Sequence, residues 1–137
     1  PYVVGPNDYT RRLAFYGENL VKGQAMYIDN LSARLSFIHE EEAGRFLAAL
    51  AKVEDLSGPV NAAATGTVSL AETLDFLEKR SGKEPILLPE GLAAPYNGSG
   101  DFGLDTSKAR EGMGYAFSRL QDWYWDLLEN LPAEYKG

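Results

Sequence analysis

Cysteine is absent from the sequence, and histidine occurs only once. The chain therefore has no disulfide, no thiolate metal site and no cysteine nucleophile, and a single histidine excludes a metal site built from several histidines. No apolar run approaches the ~20 residues that a membrane-spanning helix needs. The basic segment and the apolar core of a secretory signal are missing from the N-terminus. We therefore expect a cytoplasmic protein that does not contact a membrane.

Positive charge is also scarce, since 13 lysines and arginines stand against 20 acidic residues and give a net charge of −7. Nucleic-acid binding usually needs a basic surface, so a nucleic-acid partner is disfavoured. Apolar residues make up 45% of the chain, which predicts a folded protein rather than a disordered one. A chain of 137 residues suffices for one domain with a core, 1–137, but not for two.

The spacing of apolar residues predicts several helices that alternate with short strands. Two of the helices open with capping boxes, Ser69 to Glu72 and Ser118 to Gln121, and Asp105 or Thr106 is expected to cap a short helix through Ala109. The other helices are predicted over residues 10–22, 41–53, 70–81 and from 120 to about 131. Strands are predicted at 2–4, 26–28, 35–38, 60–63 and 86–88. The resulting fold class is α/β, a small helix-rich domain with short strands.

Two of these strands are expected to leave apolar edges uncovered. The strand at residues 2–4 begins almost at the first residue of the sequence, and residues 60–63 are small and mostly apolar. An exposed strand edge is a template for pairing. We therefore expect these two strands to pair with each other, or the chain to form a homodimer. Residues 89–104, rich in glycine, proline and asparagine, are predicted to be a surface loop.

Residues 98–103, GSGDFG, match the dinucleotide fingerprint G-x-G-x-x-G. That fingerprint requires a strand before it and a helix directly after it, and neither is predicted here. His39 ends an apolar run, and no nucleophile or orienting acid is evident for it, so a structural role at the start of a helix is favoured over a general base. Glu40, Glu41 and Glu42 point in different directions on a helix, which favours capping over cation binding.

Three arginines, Arg11, Arg12 and Arg34, are candidates for holding an anionic substrate, because a guanidinium makes a two-point contact with a carboxylate or phosphate. The alternative is that they are solvated and paired with some of the many acids. Trp123 is predicted to join the core stripe of the last helix. Trp125 is predicted to be exposed or to contact another domain or subunit.

Several segments together resemble one family, the extended short-chain dehydrogenases/reductases of the NAD-dependent epimerase/dehydratase group. Residues 1–8, PYVVGPND, resemble its R-P-x-x-V-Y-G-P-G-D stretch, and 36–43, SFIHEEEA, are similar to its S-F-I-H-V-D-D-V-A. Residues 58–61, GPVN, followed by 68–70, VSL, resemble its G-x-x-Y-N-x-G-S-G-x-x-x-S-L. Residues 104–109, LDTSKA, resemble its D-x-S-K-A. The segments follow the family's order and cover nearly the whole chain.

The resemblance implies the C-terminal, substrate-binding lobe of such an enzyme, without the N-terminal Rossmann half and its Tyr-x-x-x-Lys. This lobe would bind a sugar-like or other small polar substrate for an NAD(P)-dependent epimerase, dehydratase or reductase and would be inactive alone. No cofactor is expected in this chain, whereas NAD(P) is expected in a full-length parent. The substrate contacts expected here are Asn7, Arg12, Arg34 and Phe37. The alternative is a non-enzymatic interaction or regulatory module derived from the same fold.

Departures from the family's pattern bear on the substrate. Nucleotide-sugar members usually carry an arginine four residues before the histidine, where this chain has Leu35, and a second arginine in an R-x-G-D element, where this chain has Gly98. A nucleotide-diphosphate sugar is therefore disfavoured as the substrate.

We expect no heat of binding when NAD or NADP is titrated into the purified chain, because its glycine-rich segment lacks the strand and helix that present a pyrophosphate. Isothermal titration calorimetry measures this directly. Clear binding would show that residues 98–103 hold a dinucleotide after all.

Overall fold

The computed structural model describes residues 1–101 and 103–131 as a helix-rich α/β fold, which confirms the predicted fold class. Within these residues there are five α-helices and six short strands. In chain order they are β1 (Tyr2–Val4), α1 (Arg12–Lys22), β2 (Met26–Tyr27), β3 (Arg34–Leu35), β4 (Phe37–His39), α2 (Glu40–Leu50), β5 (Val68–Ser69), α3 (Leu70–Ser81), β6 (Leu92–Ala93), α4 (Ser107–Met113) and α5 (Tyr124–Asn130). No helix among them is long and apolar enough to cross a membrane.

Local signals set the ends of α1 and α3 as predicted. Helix α1 ends where Gly23 adopts φ 68°, and α3 ends where Gly82 adopts φ 72°, a left-handed conformation that glycine adopts without steric cost. Both halves of the predicted capping box are present at the start of α3: Glu72 N donates to Ser69 Oγ at 3.1 Å, and the Glu72 carboxylate accepts from Ser69 N. The start of α4 is held by Asp105, whose Oδ1 accepts from Ser107 N at 2.9 Å, rather than by Thr106.

The run predicted as one strand, 35–38, is two strands with different partners. Strand β4 pairs in parallel with β1, placing Phe37 opposite Tyr2 and His39 opposite Val4. Strand β3 pairs antiparallel with β5. The change of partner occurs at the buried Ser36, whose carbonyl accepts from Tyr2 N at 3.0 Å. Segment 34–39 therefore joins the N-terminal strand to the start of α3.

The predicted strand at 60–63 and its pairing with 2–4 are wrong. These residues have no strand hydrogen bonding, and β1 takes β4 as its partner instead. The small side chains of Ala63 and Ala64 are buried, which allows the backbone to approach β4, and Ala64 N donates to the Phe37 carbonyl at 2.8 Å. Homodimer formation remains a prediction.

The region predicted as a strand and then a surface loop is arranged around β2. Residues 86–88 form only an isolated bridge between Leu87 and Met26, while β6, inside the predicted loop, pairs with β2 in parallel on its other edge. The chain passes over β2 between these two contacts. A Cβ on Gly91 would lie 2.6 Å from the Met26 carbonyl carbon, so only glycine fits at the crossing. The predicted loop also contributes buried side chains to the core, including Tyr96.

The predicted capping box at Ser118 is wrong, because a buried carboxylate uses the serine instead. Glu42, only 5% exposed, accepts from Ser118 Oγ at 2.7 Å and from Ser118 N at 3.0 Å. The same hydroxyl accepts from Trp123 Nε1 at 3.1 Å. A buried carboxylate needs such donors to offset its lost hydration. The chain therefore enters α5 through a 3₁₀ turn, Leu120–Asp122.

Aromatic rings dominate the centre of the core. Phe37 is fully buried, and its ring lies 6.0 Å from Tyr2, 5.7 Å from Tyr96 and 5.3 Å from Tyr124, measured between centroids. Both tryptophans are partly buried against this core, and Trp125 packs on Phe76 of α3 at 5.1 Å. Trp125 is therefore partly covered within the chain, and its contact with another domain or subunit stays a prediction.

We expect Tyr96→Phe to raise the free energy of unfolding by about 1 kcal/mol, because the Tyr96 hydroxyl is buried without a hydrogen-bond partner among the described residues. The control is Tyr124→Phe, which removes a 2.8 Å hydrogen bond to Thr73 Oγ1 and should lower the same free energy by about 1 kcal/mol. Urea unfolding of the two variants measures the difference. Equal destabilisation by both would contradict the unpaired state of the Tyr96 hydroxyl.

Candidate functional site

The Arg12 guanidinium lies over two tyrosine rings on the surface of the core. Its central carbon is 5.3 Å from the centroid of Tyr2 and 5.9 Å from that of Tyr96, within the range of cation–π attraction. Arg12 Nε donates to Thr10 Oγ1 at 3.2 Å, and that hydroxyl donates to Asp8 Oδ1. The turn before α1 thus fixes the direction of the side chain.

The residue before it, Arg11, faces a different partner. It adopts φ 52°, the one left-handed non-glycine residue in the described chain, and pairs with Glu18, about two helical turns further along α1. The two consecutive arginines therefore have different partners. Arg11 is neutralised by a carboxylate, whereas Arg12 rests on aromatic rings.

Residues 96–101, which contacts with Tyr2, Asp29 and Arg34 hold in place, complete the surface beside Arg12, and we call them the pinned loop. The Tyr2 hydroxyl and Ser99 Oγ are 2.6 Å apart, and the Tyr2 and Tyr96 ring centroids are 4.3 Å apart. Asp29 Oδ2 accepts from Gly98 N at 2.7 Å. Burial raises the pKa of Tyr96, which therefore stays a neutral hydroxyl at physiological pH. We call Arg12, Tyr2, Tyr96 and Ser99 the Arg12 site.

The terminal Nη atoms of Arg12 have no hydrogen-bond or ion-pair partner among residues 1–101 and 103–131. Its side chain is only partly buried. The Arg12 site therefore has an oriented cation beside the hydroxyl groups of Tyr2 and Ser99. Such an arrangement can bind a ligand that carries an anionic group next to a hydroxyl group.

Arg34, the second arginine expected to bind substrate, is engaged within the protein. Its Nε donates to Thr67 Oγ1 at 3.1 Å, one Nη donates to the Thr67 carbonyl at 2.8 Å, and the other pairs with Glu72. Its backbone N–H donates to Asp101 Oδ1 at 2.9 Å. These contacts join β3 to β5, α3 and the pinned loop.

Asn7 and Phe37, the remaining expected contacts, lie elsewhere. Asn7 follows the carboxyl end of β1, where Glu40 Oε1 accepts from its backbone N at 3.0 Å and its side-chain Nδ2 at 3.1 Å. A Cβ on Gly5 would overlap the Glu40 side chain, so a larger residue there would force Glu40 to move away from Asn7. Because β1 and β4 are parallel, Asn7 and Arg34 lie at opposite ends of the pair. Phe37 has no exposed surface and lies behind Tyr2 and Tyr96.

His39 caps α2, as its position predicted. Its Nδ1 accepts from Glu41 N at 3.1 Å, and its ring packs edge-on against Trp123. Glu40 and Glu42 are directed to separate partners, the turn after β1 and Ser118. Consistent with this divergence, no group of three histidine or carboxylate side chains in the described part of the chain could hold a metal ion.

An apolar groove lies on the other side of β1 and β4, against α2. We call it the β1–α2 groove; its volume is about 400 Å³, and it is lined by Pro1, Val3, Ile38, Ala43, Phe46, Leu47, Leu50, Val60, Asn61, Ala62 and Leu104. Val3 is 46% and Leu47 63% exposed. Exposed aliphatic residues gathered in one groove are a candidate surface for contact with another protein segment or a ligand.

Sequence reasoning found Arg12 but missed the three residues around it. Tyr2 lies in a predicted strand and Tyr96 in a predicted loop, and nothing in the local pattern connects either with Arg12. The tripeptide pattern G-x-G around Ser99 points to a role for the glycines rather than for the serine hydroxyl. Pairings between residues 84 to 97 positions apart are not visible in local periodicity.

No protein-family model matches the sequence, and no curated protein matches it significantly. Solved structures do match. A UDP-glucuronic acid 4-epimerase from Bacillus cereus, in complex with UDP-glucuronic acid and NAD, is similar over 98% of this chain and 41% of its own, with 20% identity and a TM-score of 0.69. A UDP-glucose 4-epimerase from Thermotoga maritima matches over 93% and 42%, with 17% identity and a TM-score of 0.71. An NAD-dependent NDP-hexosamine 5,6-dehydratase of tunicamycin biosynthesis matches over 93% and 42%, with 20% identity and a TM-score of 0.71.

These likenesses confirm, at the level of the fold, the resemblance to the NAD-dependent epimerases and dehydratases. This chain spans less than half the length of each of those proteins.

We expect Arg34→Gln to lower the free energy of unfolding by about 1 kcal/mol, chiefly through the two hydrogen bonds to Thr67, since the ion pair with Glu72 is largely solvent-exposed. The matched control is Arg45→Gln on α2, whose ion pair with Glu41 is long and exposed; it should change that free energy by less than about 0.5 kcal/mol. Urea unfolding measures both. An Arg34 variant as stable as the Arg45 variant would contradict its structural role.

Proposed function

We propose that this chain, which shares its fold with part of the NAD-dependent epimerases and dehydratases, is the substrate-binding lobe of an NAD(P)-dependent epimerase, dehydratase or reductase acting on a sugar-like or other small polar substrate. The observation that carries the proposal is the fold match over 93–98% of this chain to about two fifths of proteins of that kind. The cofactor and the hydride transfer would belong to a second, cofactor-binding half.

The β1–α2 groove supports a second half on physical grounds. Strands β1 and β4 form a parallel pair, and parallel strands are normally buried inside a larger sheet with helices on both faces. Here Val3 and Leu47 are exposed beside that pair. We propose that the cofactor-binding half covers this groove.

The expected substrate contacts take different parts in the proposal. Arg12 would contact the substrate directly, because its terminal nitrogens have no hydrogen-bond or ion-pair partner among the described residues. Asn7 would shape the turn at the carboxyl end of β1, the end at which ligands bind in open α/β sheets. Arg34 and Phe37 would hold the loop and the tyrosines in place from behind.

The test compares the chain 1–137 with a longer protein that includes whatever its gene encodes before Pro1. We expect the longer protein to carry a glycine-rich strand–turn–helix and a Tyr-x-x-x-Lys, and to bind NAD or NADP in calorimetry. An upstream region without these features, or a longer protein that binds neither, would overturn the proposal and favour the non-enzymatic interaction module.

Two variants of α2 test whether the cofactor-binding half covers the β1–α2 groove. Leu47→Glu, inside the groove, should leave the stability of 1–137 nearly unchanged because the side chain is already exposed, but should lower the thermal midpoint and the NAD(P) affinity of the longer protein. Ala48→Glu, the next position and outside the groove, should do neither. Equal behaviour of the two variants in the longer protein would contradict coverage of the groove. Concentration-dependent association of 1–137 that Leu47→Glu abolishes would assign the groove to a second copy.

A further inference from the structure

We propose, building on the proposed function, that the Arg12 site selects a substrate carrying one anionic group, a carboxylate or a phosphomonoester, over a nucleoside diphosphate. The shared chemistry is a single anion attached to a hydroxylated carbon skeleton.

The contacts of Arg12 within the protein leave only its two terminal nitrogens available to donate hydrogen bonds to a ligand. Nε is used by Thr10, and one face of the guanidinium rests on the rings of Tyr2 and Tyr96. The remaining edge carries two Nη donors in the plane of the guanidinium. That edge matches the two oxygens of one carboxylate or of one phosphate group. Since the side chain is already oriented, less conformational freedom is lost when an anion binds.

The surrounding charge permits one anion and disfavours two. Two described cations contact segment 96–101: Arg12, which stacks on Tyr96, and Arg34, which donates to Asp101 through its backbone. The Arg34 guanidinium is already engaged by Glu72 and Thr67. A diphosphate would therefore meet a single available guanidinium.

Three carboxylates add to this discrimination. Asp8 lies behind Thr10, Asp29 holds Gly98 N, and Asp101 holds Arg34 N. Asp8 is linked to Arg12 through the Thr10 hydroxyl, Asp29 bonds segment 96–101 directly, and Asp101 belongs to that segment. A second phosphate group, as in a nucleoside diphosphate, would be repelled by these carboxylates without a second cation to offset the repulsion.

The pair formed by the Tyr2 hydroxyl and Ser99 Oγ lies next to the cation and supplies both donors and acceptors. This neutral pair can hydrogen-bond the hydroxyl groups of a sugar or polyol, but it offers no charge to balance a second anionic group of the ligand. The ligand would thus place its anion on Arg12 and an adjacent hydroxyl on Tyr2 or Ser99.

The experiment titrates ¹⁵N-labelled chain with four ligands: glucuronate, glucose 6-phosphate, glucose and UDP-glucose. The Arg12 Nε–Hε resonance reports on the guanidinium directly. We expect glucuronate or glucose 6-phosphate to shift this resonance and to bind at least about tenfold more tightly than glucose or UDP-glucose, the factor that corresponds to one charge-assisted contact. Which of the two binds identifies the anion as a carboxylate or a phosphate.

Arg12→Gln should weaken the binding of the preferred ligand about tenfold or more. Arg12→Lys, which keeps the charge without the two-point geometry, should give an intermediate loss, and Arg45→Gln should give none. Absence of binding by both single-anion ligands, tighter binding of UDP-glucose, or an unchanged affinity in Arg12→Gln would overturn the inference. Its failure is distinct from failure of the proposed function, because NAD(P) binding by the longer protein does not involve Arg12.

Discussion

The double pairing of segment 34–39 is the constraint on which the rest of the structure depends. Its first half forms an antiparallel ladder with β5, and its second half forms a parallel ladder with β1. One short run of chain thereby connects the N-terminal strand, the capped start of α3 and the start of α2. The fully buried Phe37 sits on this segment and brings together rings from β1, the pinned loop and α5.

Polar contacts of high sequence separation hold the surrounding loops to this segment. Glu42 fixes Ser118 from 76 positions away, and Asp29 and Asp101 fix the loop that contains Ser99. Most of these donors are backbone N–H groups outside regular structure, which need a partner when they are withdrawn from water. The acidic residues that make the chain strongly negative thus include several that are internal acceptors. These hydrogen bonds hold the loop beside Arg12 in place. Separate contacts with Thr67 and Glu72 engage the guanidinium of the second candidate arginine, Arg34.

The two faces of the β1–β4 pair have different properties. One face leads to the aromatic core and the Arg12 site, whereas the other forms the β1–α2 groove with exposed aliphatic residues. A chain that folds around a complete core and still exposes such a groove is what a lobe of a larger protein would look like, and the fold match to less than half of much longer proteins agrees with this. The Arg12 site, with its single available guanidinium, is the feature on which the proposed preference for one anionic group over a diphosphate rests.

The sequence by itself determined the local features: the helices with their glycine ends, the capping box at Ser69, the cap formed by His39, the helix-rich α/β class and the resemblance to the epimerase and dehydratase fold. These follow from interactions within about four residues, so periodicity and capping rules reveal them. The tertiary structure alone decided which strands pair, that residues 60–63 lack a strand, that Ser118 serves Glu42 rather than a helix start, and that Arg12 rather than Arg34 keeps its donors available. Each of these depends on a partner tens of residues away. Arg12 and Arg34 are equally plausible from the local sequence, and they differ only in the partners that the fold brings to them.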